Sequence, residues 1–106
     1  MFLQLENLEE VKMTKQQTAS VQSYVTLLNA LVSGKMKPEA FEASYLLKFK
    51  SEQTELPEES FAILDRLFGD VDSYCADPEI RGLDDIGNEE LLANARNSLE
   101  ALLKVL

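Results

Sequence analysis

Apolar residues recur at three and four along most of the chain, and the recurrences predict four core helices. Val21, Tyr24, Val25, Leu28, Leu31 and Val32 give the first, from about Thr18 to Ser33, with Gly34 placed to end it. Pro38 opens the second at its first position, with Glu39 in the first turn; Phe41, Tyr45, Leu46 and Phe49 line its buried side, and it ends near Lys50-Ser51. The third and longest is predicted over 57–76, from Pro57 through Phe61, Ile63, Leu64, Leu67, Phe68, Val71, Tyr74 and Cys75, which fill one wide arc. Gly69 interrupts it, which implies that a second backbone or a partner passes close there. Asn88 is the expected cap of the fourth helix, whose seam is Leu91, Leu92, Ala95, Leu99, Leu102, Leu103 and Leu106.

Between the last two, Asp77-Pro78-Glu79 reads as an N-cap, a first-position proline and an acid, predicting a single helical turn over 78–82 that ends at Gly82. Leu83 and Ile86 are expected to tuck into the end of the bundle. Nothing alternates at period two, and no hairpin turn signal links two strands. The fold class expected is all-α: an antiparallel four-helix bundle with a short extra helical turn and an N-terminal extension. Leu5, Leu8 and Val11 suggest a short helix in residues 1–12, and Met13 offers a second start. The chain is therefore divided into an extension, 1–17, and a helical domain, 18–106.

Composition narrows the function more than the fold. The 106 residues are 45% apolar and 27% charged, as in an ordinary globular domain. Histidine is absent, which removes His-based acid–base chemistry, Ser-His and Cys-His nucleophile pairs and most transition-metal sites. A single cysteine, Cys75, cannot form an internal disulfide and is read as a small apolar group of the third helix. No apolar run is long enough to cross a membrane and the acidic N-terminus lacks a basic leader region, so a cytoplasmic location is expected.

Charge is uneven. Residues 1–51 carry a net +1, residues 52–90 a net −11 and residues 91–106 a net +1, so the whole of the −9 resides in the middle segment. That disfavours direct contact with nucleic acid or an anionic membrane and favours a basic protein partner; the plain alternative is an acidic surface that only solvates an adaptor domain. Asp70, Asp72, Asp77 and Glu79 fail the calcium-loop pattern, because position 5 counted from Asp70 is Tyr74 and position 12 is Arg81. Glu58, Asp65 and Asp72, seven apart, share one stripe of the third helix. With no second carboxylate-bearing element at readable spacing they make a weak hydrolase, and neither enzyme activity nor a cofactor is expected. Arg81 is expected to pair with Asp77 or Asp72.

Two segments carry a resemblance. Leu31-Val-Ser-Gly-Lys-Met-Lys-Pro-Glu-Ala-Phe-Glu-Ala-Ser-Tyr-Leu46 is a general helix-turn-helix pattern. Leu64-Asp-Arg-Leu-Phe-Gly-Asp-Val-Asp-Ser-Tyr-Cys-Ala-Asp-Pro-Glu-Ile-Arg81, followed by the Leu-rich last helix, is more specific. Across roughly residues 18–104 the layout resembles the colicin D-type bacterial immunity proteins, including those of contact-dependent growth inhibition systems. The resemblance implies a helical bundle that binds the basic nuclease domain of a cognate tRNA-cleaving toxin and fills its cleft with acid. It places the blocking carboxylates at Asp72 and Asp77, with Asp70 and Glu79 as neighbours; Asp65 joins them as a candidate from the helix stripe. Lys37 stands where a Ser, Thr or Asp cap is more usual, and residues 1–17 exceed the smallest members.

Overall fold

The computed structural model describes residues 13–106, so the short helix expected in residues 1–12 lies outside the described part. Four helices follow one another: α1 (Lys15–Val32), α2 (Pro38–Lys50), α3 (Glu58–Asp72) and α4 (Asn88–Val105). The all-α expectation holds. Helix α1 starts three residues before the apolar pattern does, because Thr14 caps it. The Thr14 Oγ1 accepts from the Gln17 N–H and the Gln17 Oε1 accepts from the Thr14 N–H, both at 3.0 Å. Its far end closes on Gly34, at φ +83°, the one left-handed residue described; the Lys35 N–H reaches back to the Ala30 carbonyl at 2.9 Å and the Gly34 N–H to Leu31 at 3.1 Å. A side chain at position 34 would oppose that conformation, so the glycine is what lets the chain reverse within five residues.

Helix α2 starts at Pro38 with Lys37 as a cap that makes no side-chain bond. Phe41, Tyr45 and Phe49 recur at four and stack down its inner face, with ring centroids 5.5 and 6.2 Å apart. Phe49 then meets Phe68 at 5.3 Å and Phe61 at 5.8 Å, joining α2 to α3 through aromatic faces. Each helix packs on two others, α1 on α2 and α4, and α3 on α2 and α4, which closes a ring of four around one core. Tyr24, Leu28, Tyr45, Leu64, Leu91 and Leu102 are fully buried within it.

Two of the core tyrosines bond through their hydroxyls inside the molecule. Tyr45 donates to the Leu64 carbonyl at 2.8 Å and Tyr24 to Glu52 Oε1 at 2.7 Å, so both rings are buried with their polar ends satisfied. Burial raises both phenols well above the ordinary tyrosine value, and for Tyr24 the Glu52 carboxylate adds to it. Three apolar expectations also shift at the margins: Phe61, Leu103 and Leu106 are substantially exposed.

The largest departure is in α3, which stops at Asp72 and not at residue 76. Ser73 caps it and the chain turns back, so Tyr74 and Cys75 are buried or half-buried outside the helix. Gly69 remains helical and exposed, and a methyl group added there would meet no atom within 4 Å. No second backbone among the described residues explains it.

Candidate functional site

The bundle end formed by the start of α2, the end of α3 and the start of α4 gathers most of the predicted acids. Its frame is the connection 73–87. The Cys75 N–H donates to the Ile86 carbonyl and the Ile86 N–H to the Ser73 carbonyl, both at 2.9 Å, making a parallel bridge between Tyr74 and Ile86. The Tyr74 ring is buried beneath it, and its hydroxyl donates to Asn88 Oδ1 at the first turn of α4. These bonds set the start of α4 beside the end of α3, so the two helices run in opposite directions.

Asn88 is thus not the cap. Gly87 holds that position, its N–H donating to Glu90 Oε1 at 3.2 Å, which leaves the Asn88 side chain for Tyr74. The Arg81 guanidinium lies over this residue, and a methyl group at Gly87 would come within 2.7 Å of its carbon and displace it.

Arg81 does not pair with Asp77 or Asp72. Its Nε donates to the Cys75 carbonyl at 3.0 Å and one terminal nitrogen to Ala76 at 3.4 Å. The arginine therefore ties the connection to itself through backbone, where carboxylates on the surface were expected to hold it. Residues 78–82 make a turn and no helix. Asp77 Oδ1 accepts from the Glu79 N–H at 2.9 Å, the Asp77 carbonyl accepts from the Ile80 N–H at 3.2 Å, and Asp85 Oδ2 accepts from the Gly82 N–H at 2.9 Å. Cys75 is half-buried, with its thiol 3.6 Å from the Asp77 carbonyl.

Four of the five predicted site residues are exposed: Asp65 and Asp72 on the outer stripe of α3, and Asp77 and Glu79 in the turn beyond it. Asp70 is separated from them. It is partly buried in a groove between α3 and α4 with Arg66, Asn94, Asn97 and Ser98. Burial raises its carboxyl above the usual range, and the Arg66 charge works against that rise.

At the α2 side of this end, Asp72 is near enough to Glu42 for its charge to act there, and Glu42 and its neighbour Glu39 are acids that the charge count placed in another segment. Glu42 is raised by burial first, then by the negative charges of Glu39 and Asp72. Tyr74 is raised by burial and by the same two glutamates, with Arg81 opposing. Glu39 and Glu42 lie in a segment of net positive charge, and only the packing of α2 on α3 brings them to the acidic end. The signal was the predicted antiparallel pairing of helices, which already put the start of the second helix level with the end of the third.

Leu83 is the other miss. It does not tuck in; it is fully exposed at 104%, and Ile80 stands out at 74%, while Ile86 alone packs against the core. Among the described residues no group of three or more His, Cys, Asp or Glu is placed to hold a metal ion, and no helix is long and apolar enough to cross a membrane.

A family model for bacterial self-protective, colicin-like immunity matches residues 19–102, from α1 through most of α4. The chain belongs to this family. Membership in a colicin-like immunity family implies a protein that neutralises a cognate toxin, an inhibitor's role. No curated protein and no solved structure matches it. The match spans all four helices and the 73–87 connection, so the acidic end belongs to the immunity-type part of the chain.

Proposed function

We propose that this immunity protein is of the colicin D type, as in contact-dependent growth inhibition, and that it blocks a tRNA-cleaving toxin in the cytoplasm by seating its acidic end in the toxin's basic cleft. Asp72 and Asp77 lead the contact, with Glu79 and Asp65 beside them and Asp70 at the flank. Residues 18–106 form the inhibiting domain and 1–17 an extension to it. One observation carries the reading most: Asp72, Asp77 and Glu79 are exposed at one end of the bundle, while Arg81, the cation nearest Asp77 and Glu79 in sequence, is turned onto backbone carbonyls. Their charge is left for a partner.

A cleft that grips RNA phosphates presents Lys and Arg donors at spacings suited to anionic oxygens, and carboxylates held on a fixed frame satisfy the same donors. Opposite charge also speeds encounter, which suits an inhibitor that must act before its toxin does.

The test is binding to the C-terminal domain of the toxin encoded in the adjacent upstream reading frame, with its catalytic group inactivated. Asp72→Lys and Asp77→Lys are expected to weaken binding at least about tenfold while the thermal midpoint stays near wild type. Asp77→Asn, which keeps an oxygen for the Glu79 N–H, separates loss of charge from loss of the turn. Wild-type affinity in all three variants refutes the acidic-site assignment. A neighbouring frame that encodes no toxin, with binding insensitive to salt, favours the adaptor reading.

A further inference from the structure

We infer that Ile80 and Leu83 are the apolar anchors of the toxin interface, entering an apolar recess on the toxin that is bordered by Lys and Arg. The inference rests on the proposed acidic contact and adds to it the groups that give the complex its lifetime.

Isolated exposed aliphatic residues are ordinary on protein surfaces. These two differ in company and in mounting. They stand at 74% and 104% exposure three positions apart in the 73–87 connection, between Asp77 and Glu79 on one side and Asp84 and Asp85 on the other. The connection that holds them is fastened at both ends and within: the Tyr74–Ile86 bridge, the Arg81 bonds to Cys75 and Ala76, the Asp77 bond to Glu79 and the Asp85 bond to Gly82. None of these bonds uses the side chain of Ile80 or Leu83.

An apolar centre within a charged rim is the arrangement found where a few side chains carry most of a complex's energy. Charge complementarity selects the occupant. A second copy of this chain would bring the same carboxylates against Asp77, Glu79, Asp84 and Asp85, whereas a basic domain meets them with opposite sign. Because the connection is already ordered by its own hydrogen bonds, docking loses little further freedom.

The two contributions separate kinetically. With the inactivated upstream-encoded toxin domain as the probe, association and dissociation rates are measured at low and physiological salt. Ile80→Ser and Leu83→Ser should each shorten the lifetime of the complex about tenfold or more, with the association rate and its salt dependence close to wild type. Asp72→Asn and Asp77→Asn should slow association and flatten its salt dependence. Since neither aliphatic side chain is buried, the thermal midpoints of the serine variants should match wild type, and Leu83→Met should keep the long lifetime. If the serine variants dissociate like wild type while the aspartate variants associate slowly, the anchors are overturned and the acidic reading stands. If the aspartate variants bind normally and the serine variants dissociate fast, the acidic reading fails and the anchors stand. A free chain that is dimeric and becomes monomeric on Leu83→Ser also overturns the inference, since the pair then serves self-association.

Discussion

Gly69→Ala is expected to stabilise the free protein, and the expectation can be worked through from local geometry. Gly69 lies inside α3 with a helical backbone, and its carbonyl accepts from the Ser73 N–H at 3.1 Å. An added methyl group has no atom within 4 Å, so it neither clashes nor gains a contact. What remains is the backbone freedom that glycine has in the unfolded chain and alanine lacks, worth about 0.5–1 kcal/mol in a helix interior. For a domain of this size that corresponds to a rise in Tm of about 2–5 °C. Circular dichroism melts and urea unfolding would read it, with the denaturant midpoint raised and the slope unchanged. A Tm at or below wild type would show that the glycine relieves strain invisible in the packing, and the reasoning would be wrong. If the gain appears, the reason for a glycine at 69 lies outside the described residues, and the same variant measured against the toxin domain shows whether a partner comes close there.

Ser60 is fully buried in the first turn of α3, and its hydroxyl has no hydrogen-bond partner among the described residues; Ser60→Ala should raise stability by about 1 kcal/mol in urea, and a loss of stability would contradict it. The acids Glu42 and Asp70 give a signed pH dependence. Both are raised in the folded state, by burial above all, so the folded chain holds protons that the unfolded chain releases. Their ionisation therefore lowers stability as pH rises from the ordinary carboxylate value through the raised one, and the free protein should melt higher at about pH 5 than at pH 7. Toxin binding should run the opposite way, because a cationic partner favours the ionised acids. A free protein whose melting temperature falls from neutral pH to about pH 5 would count against the first half, and complex affinity that ignores pH against the second.

The helices were legible because their apolar periods and end signals agree. Gly34 and Pro38 fix the reversal between α1 and α2 to the residue. The end of α3 was not legible, and the reason is specific. Val71, Tyr74 and Cys75 continue the helical spacing, yet Tyr74 reaches the core from a bridge to Ile86, a position that periodicity cannot tell from one more turn. Leu83 was misplaced because an apolar residue in a loop reads as buried, whereas a neighbour that would cover it is a matter of tertiary structure. The acids divided in the same way. Asp65, Asp72, Asp77 and Glu79 are exposed, but the opposite facing of Asp70 and Asp72, and the arrival of Glu39 and Glu42, depend on which helices meet.

The connection 73–87 keeps its shape through groups that point inward or bond to backbone: Tyr74, Arg81, Ile86, Gly87, and the capping oxygens of Asp77 and Asp85. Glu79, Ile80, Leu83 and Asp84 project from it, exposed. Framework and address are thus carried by different residues of one short segment. If the toxin docks there as proposed, substitutions at those four positions would redirect the chain to a toxin of altered shape or charge without loosening the frame that displays them, and inhibitor and toxin could diverge together one surface residue at a time.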